Sequence, residues 1–206
     1  MTAEKLRRQA AFVRETARRI AREPTLGREV LRLLATRGRS TIRLRLPWLP
    51  FRLIDELEAV VCAGTRVFEY GGGGSTLWFL DRGAFVVTVE HDREWTEILK
   101  KGVTSDNWTL LVRPIADGPT DYVEAIATYP DNWFDVVVVD GRARRRCVSR
   151  ASSKVKPGGL LLVDDVNRQK HARAAQGVAW PRRDVIGFAP AKLELAHTAV
   201  LTRPAA

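Results

Sequence analysis

Residues 66–76 read Arg66-Val67-Phe68-Glu69-Tyr70-Gly71-Gly72-Gly73-Gly74-Ser75-Thr76: a strand-like run ending on an acid, four successive glycines, and the hydroxyls that open a helix-like run. A strand that turns into a helix through residues lacking Cβ lets the backbone approach a ligand closely, which is how nucleotide cofactors are held. Outward from this stretch, strand-like and helix-like segments alternate, the pattern of a parallel sheet covered on both faces. Strands are expected at about 66–70, 84–90, 109–113, 134–140 and 159–164, and helices near 75–80, 94–101, 122–128, 144–155 and 168–180. The unbroken Val136-Val137-Val138-Val139 predicts a central strand buried on both sides. The tail changes character: 184–189 and 193–202 read as two strands separated by a turn around Pro190 and Lys192, which is hairpin spacing.

A chain of 206 residues fits one domain with a sizeable core. Its formal charge of +10 is uneven, because residues 1–46 hold 13 Lys/Arg against 4 Asp/Glu while 47–206 hold 21 against 20. The basicity therefore belongs to an N-terminal helical extension, 1–46, and not to the domain at 47–206. Leu6, Ala10, Val13, Ala17 and Ile20 recur at steps of three and four among arginines, which predicts an amphipathic basic helix, and a second is expected at about 28–35. Residues 1–22 offer either a peripheral contact with an anionic membrane or a solvated face on a helix packed against the domain or a second copy of the chain. Without interleaved aromatics or a nucleic-acid module, nucleic acid is the weaker reading. Two cysteines without metal spacing, no apolar run of membrane-spanning length and no signal-like apolar stretch point to a reducing cytoplasm.

Five βα units followed by a hairpin resemble the class I S-adenosylmethionine-dependent methyltransferases. Glu69-Tyr70-Gly71-Gly72-Gly73-Gly74-Ser75 resembles their first motif, and Glu90, 21 residues after Glu69, their ribose-binding acid. Phe134 to Asp140 and Lys156-Pro157-Gly158-Gly159-Leu160 resemble the fourth- and fifth-strand motifs. Val67-Phe68-Glu69-Tyr70-Gly71, Ser75-Thr76-Leu77-Trp78, Val89-Glu90-His91-Asp92 with Trp95, and Val139-Asp140-Gly141-Arg142 are similar to a bacterial subgroup of small members. The resemblance covers 48–204. It implies an α/β fold, a Rossmann-like, doubly wound, seven-stranded sheet with an antiparallel C-terminal hairpin, and S-adenosyl-L-methionine as cofactor.

In that reading Gly71 and Gly73 allow the turn and the close passage of the cofactor, and the additional glycines loosen the loop. Glu69 takes the cofactor's ammonium directly or through water, Ser75 and Thr76 cap the next helix and face the carboxylate, and Glu90 accepts the ribose hydroxyls. His91 either edges the adenine pocket or caps a strand end. Asp117 either meets the adenine or is a turn aspartate.

Asp140 ends one strand and Asp164-Asp165 another, so in an open parallel sheet all three lie on the ligand side. The set resembles the metal site of Mg²⁺-dependent sugar and catechol O-methyltransferases, in which Mg²⁺ held by Asp140, Asp164 and Asp165 would activate a substrate hydroxyl. The departure is Arg142, which stands where the sugar enzymes have an acid serving as base. Arg142 either neutralises Asp140 and Asp164 in a metal-free site or recognises an anionic substrate through its bidentate fork, and Arg144 could assist. His171 is either a base or a helix-surface histidine. Trp48 and Phe51 either line the substrate pocket or pack in the core.

The expected activity is methyl transfer to a small-molecule acceptor, most readily at oxygen. Its alternatives are a cofactor-binding interaction protein docking through the basic extension, and a nicotinamide-dependent oxidoreductase. The hairpin and the lack of a Tyr-x-x-x-Lys pair disfavour the last.

Overall fold

The strands are β1 (Arg66–Tyr70), β2 (Phe85–Glu90), β3 (Trp108–Val112), β4 (Phe134–Val139), β5 (Val155–Val163), β6 (Arg182–Ala189) and β7 (Lys192–Thr202). In the computed structural model, which describes residues 14, 18, 21 and 26–205, they form one sheet in the order β3-β2-β1-β4-β5-β7-β6. β1 to β5 pair in parallel, while β7 runs antiparallel between β5 and β6. The order turns back beside β1, with β2 on one flank and β4 on the other, which makes a topological switch point where open sheets bind ligands. The basic helix expected at 6–22 lies largely outside the described residues.

Helices α1 (Leu26–Thr36), α3 (Phe51–Glu58) and α4 (Gly74–Leu80) lie on one face, with the short α2 (Thr41–Leu44) between the first two in the chain. There Leu26, Leu33, Phe51, Leu57, Trp78 and Phe79 pack with the outward side chains of β1, β4 and β6. Glu29 of α1 is buried, accepts from the Phe188 backbone N–H at 2.9 Å and pairs with Arg52 at 2.9 Å, which ties α1 to β6 and to α3. On the other face, α6 (Thr120–Glu124), α7 (Arg144–Ala151) and α8 (Gln169–Gln176) cover Phe68, Tyr70, Val137, Val139 and Leu161. Helix α5 (Arg93–Lys100) follows β2 and is N-capped by Asp92, whose side chain accepts from the Trp95 N–H.

Three expectations change. The helix expected over 144–155 ends at Ala151, and β5 starts at Val155 instead of near 159. Phe134 pairs with Val155 but Val136 with Leu160, so Pro157-Gly158-Gly159 forms an irregularity inside the strand. Helix α3 was not foreseen, and it settles the aromatic segment: Phe51 is in the core, while Trp48 is half exposed with the Lys192 ammonium 5.5 Å from its ring centre. The helix expected over 122–128 resolves into α6 and a 3₁₀ turn, Ala125–Thr128. Both cysteines are free. Among the described residues no helix is long and apolar enough to cross a membrane.

Candidate functional site

Strand β1 delivers its chain directly into the glycine run, and three of the four glycines have nowhere to put a side chain. Gly71 has φ +91°, and a Cβ there would stand 3.1 Å from the Gly141 Cα. A Cβ on Gly72 would meet the Thr88 methyl at 2.6 Å and Leu99 at 2.7 Å, and one on Gly74 would lie 2.2 Å from the Leu46 carbonyl oxygen. Gly73 alone has open space and extended backbone. The extra glycines therefore tighten the loop instead of loosening it, and Gly73 is the one the turn does not require. Hydrogen bonds hold the loop throughout. Gly71 N–H donates to Val89 O (2.9 Å), Gly72 N–H to Glu90 Oε2 (3.2 Å), Gly73 N–H to Thr76 Oγ1 (3.1 Å), and the Trp95 indole to Gly72 O (2.8 Å).

Beneath the loop Glu69 is fully buried. Its Oε2 accepts from Thr76 at 2.5 Å and Thr88 at 3.2 Å, while Oε1 is buried without a hydrogen-bond partner. Burial pushes its carboxyl up to about 7, against the opposing pull of the Ser75, Thr76 and Thr88 hydroxyls. Thr76 turns its hydroxyl inward to Glu69 and Gly73, and α4 begins at Gly74, so Ser75 is not its cap.

A cleft of about 310 Å³ opens at the carboxyl ends of β1, β2 and β4. Of the residues expected there, Gly71, Glu90, His91, Asp140 and Arg142 line it, joined by Gly72, Trp95 and Arg144. Glu69, Gly73, Ser75 and Thr76 are not in the lining, with Glu69 and Thr76 buried. Asp117 is exposed in a turn closed by the Gly118 N–H on Ile115 O and is not in the cleft lining.

Glu90 is nearly buried and already shaped by its own loop. Oε1 accepts from His91 N–H (2.7 Å), the His91 ring (2.5 Å) and Asp92 N–H (3.1 Å), leaving Oε2 with one donor, Gly72. Arg142 reaches across to His91, its Nε donating to Nε2 at 3.2 Å. A guanidinium only donates, so this contact puts the His91 hydrogen on Nδ1, towards Glu90. His91 thus edges the cleft as a bridge between Glu90 and Arg142.

Arg142 does not neutralise the aspartates; Arg144 does. Ala143 adopts a left-handed backbone (φ 48°) just before α7, and the next side chain turns inward with only 9 % of its surface exposed. Arg144 donates to Asp140 Oδ1 (2.7 Å) and to the carbonyls of Asp140 (2.6 Å), Gly141 (3.1 Å) and Asp164, and lies 3.8 Å from Asp165. Asp164 is buried and accepts from Thr198 at 2.6 Å, and Asp165, at φ 55°, takes the Lys192 ammonium at 3.2 Å. The three carboxylates do converge, with one oxygen of each inside a 4.8 Å span. Desolvation, followed by repulsion from Asp164, raises the Asp140 pKa, with Arg144 opposing. Desolvation also raises Asp164 against the Thr198 hydrogen bond. At Asp165 desolvation is the largest single influence and acts upward, but Lys192, Arg144 and Arg168 together outweigh it and hold the pKa low.

His171 is buried instead of lying on a helix surface, with Nδ1 3.2 Å from the Asp165 carbonyl. Desolvation, Arg144 and Lys170 lower its pKa, and it faces a neighbouring cavity instead of this cleft. Trp95, Thr198 and Lys192 were not among the expected site residues, although the Trp95 spacing after Glu90 was visible.

No family model and no curated protein sequence matches the chain. Solved structures do. Spermidine synthase from Thermotoga maritima superposes with a TM-score of 0.54 at 16% identity over 69% of this chain and 54% of its own, so the chain spans about half the length of that protein. A putative rRNA methylase from Clostridium thermocellum gives 0.54 at 16% identity over 75% and 96%. An S-adenosylmethionine-dependent O-methyltransferase from Thermotoga maritima gives 0.51 at 15% over 75% and 64%. Identities this low speak to architecture alone, and the architecture is the Rossmann-like class I methyltransferase fold, ending in the antiparallel strands β5-β7-β6.

Proposed function

We propose that the chain is an S-adenosylmethionine-dependent methyltransferase acting on an oxygen of a small-molecule acceptor. The observation that carries the reading is one cleft at the switch point that holds Gly71, Gly72, Glu90 and Asp140 together. The residues fit the cofactor. Gly71 holds a left-handed backbone that a side chain disfavours, Glu90 Oε2 keeps accepting capacity for a ribose hydroxyl, and the unpartnered Glu69 Oε1 fits an ammonium or its bridging water. S-adenosylmethionine supplies, when bound, a methyl group on a sulfonium, and its displacement needs chiefly alignment.

The chain's own residues supply that alignment and a proton acceptor. Trp95 and Glu90 fix the loop floor by holding Gly72 from both sides. Asp140 lines the cleft with Arg144 on Oδ1 alone, so its second carboxylate oxygen is the one offered to the proton of an acceptor hydroxyl. The counter-charge that a Mg²⁺ ion would bring to Asp140, Asp164 and Asp165 is already provided by Arg144 and Lys192, so the donor set does not fit a metal well. We read the cluster as a positioning and proton-handling group.

Calorimetry with S-adenosylhomocysteine and with NAD tests the cofactor. Saturable binding of NAD without S-adenosylhomocysteine would end the reading. Release of S-adenosylhomocysteine in the presence of a hydroxylated acceptor panel tests the reaction.

A further inference from the structure

Beside the cofactor cleft is a second cavity of about 330 Å³ that shares Gly141, Arg142 and Arg144 with it. The first turns of α7 and α8, which pack against each other, form its wall. Arg144, Arg145 and Arg146 come from one helix, Lys170 from the other, Arg168 from the residue preceding α8 and Arg142 from the loop; no carboxylate is in the lining.

This arrangement runs against ordinary helix electrostatics. A helix N-terminus carries partial positive charge and is stabilised by acids in its first turn, yet neither of these helices has one there. Elsewhere in the protein several bases sit against an acid, Arg45 on Asp81, Arg82 on Glu58, Arg150 on Glu124 and Lys156 on Asp135, and among the described residues the bases without one do not share a cavity wall with three others. In the cavity only Arg144 has a close carboxylate, Asp140, and Arg168 stands 3.8 Å from Asp165. Arg142, Arg145, Arg146 and Lys170 have no carboxylate partner among the described residues. The repulsion among these cations and two helix dipoles is relieved by a multiply charged anion with several acceptor oxygens.

We infer that the cavity binds a phosphomonoester group carried by the methyl acceptor. Guanidinium forks match phosphate oxygens two at a time, and the concave volume suits a small molecule more than a polymer backbone. Arg142 and Arg144 line both chambers, so an anion held by Arg145 and Lys170 leaves the rest of the same molecule facing Asp140. The assignment rests on the methyltransferase reading for its acceptor, but the anion site itself does not.

The test is calorimetry on the full chain at low salt with phenyl phosphate, benzyl alcohol and a short single-stranded RNA, using wild type and an Arg145→Ser/Lys170→Ser double variant. Saturable binding of phenyl phosphate, none of benzyl alcohol, and a weakening of about tenfold or more in the variant at an unchanged melting temperature are expected. If the double variant melts lower, the exposed Arg145→Gln single variant gives the same reading with a smaller fold-change. Silence with phenyl phosphate, equal binding by the variants, or RNA binding through these residues without phenyl phosphate binding overturns the proposal. S-adenosylhomocysteine titrated into the same wild-type sample separates the two claims. Phenyl phosphate bound with S-adenosylhomocysteine silent removes the methyltransferase reading and supports the anion site, and the reverse removes the anion site alone.

Discussion

At the ends of β1 and β2, Glu69 and Glu90 are surrounded by uncharged donors: the hydroxyls of Thr76 and Thr88, the backbone N–H groups of Gly72, His91 and Asp92, and the His91 ring. At the ends of β4 and β5, Asp140, Asp164 and Asp165 instead face Arg144 and Lys192, with the Thr198 hydroxyl on Asp164. Neutral donors satisfy lone pairs without cancelling charge, so the first region stays an acceptor-rich surface fit for hydroxyls and an ammonium. Cations cancel the second set, and beyond it the surface turns positive. The two halves of one sheet therefore present opposite polarity to whatever spans them.

The hardest blow to this contrast is Arg144→Ala. It removes the cation from Asp140 and the donors from three carbonyls, and should cost about 2–4 kcal/mol of unfolding free energy, chiefly through the carbonyls left without a donor. A loss under about 1 kcal/mol in urea titration would mean that Lys192 alone holds the acid cluster.

Glu69→Gln sharpens the other side. The folded pKa of Glu69, about 7, lies above the ordinary value of 4.5, so between these pH values the folded state binds more protons and wild-type stability falls as pH rises. The variant has no such loss. Its stability relative to wild type should climb from about pH 5 to pH 7.5, by up to about 3 kcal/mol, and a flat difference in thermal denaturation would refute the buried-acid account.

Within the glycine run, Gly74→Ala should cost about 1–3 kcal/mol through its clash with Leu46 O, while Gly73→Ala stays within about 0.5 kcal/mol. Equal melting temperatures for the pair would show that the loop has room to shift. The smallest effect is expected from MgCl₂, which should move the melting temperature by less than about 1 °C because Arg144 and Lys192 already answer the carboxylates. A rise of several degrees that a chelator reverses would return the cluster to a metal-site reading.

The sheet was legible because its strands are β-branched runs whose carboxyl ends coincide with acids, and because the C-terminal hairpin has no competing helical period. The cleft was legible at Gly71, Glu90 and Asp140, where backbone form and charge are set within a few residues. Arg142 and Arg144 were not separable in sequence. They stand two apart, and the left-handed turn at Ala143, a residue with no special preference for it, decides which one faces inward. Lys192 and Thr198 were invisible for another reason, since they meet Asp165 and Asp164 only through pairing across β5, β7 and β6. Helix α3 was hidden behind Pro47 and Pro50, because Pro50 stands at its N-cap and the prolines break any helical period ahead of it.

The placement of β7 has a consequence for the order of assembly. Every residue lining the switch-point cleft has been synthesised once Arg144 is added, and the strands beneath it, β1, β2 and β4, are then all present in the nascent chain. The acid cluster must wait for a strand synthesised some fifty residues later to slot between β5 and β6 and bring Thr198 to Asp164. A nascent chain therefore holds every residue of the cleft before the partners of the acid cluster exist, and truncation before β7 would leave Asp164 and Asp165 without Thr198 and Lys192.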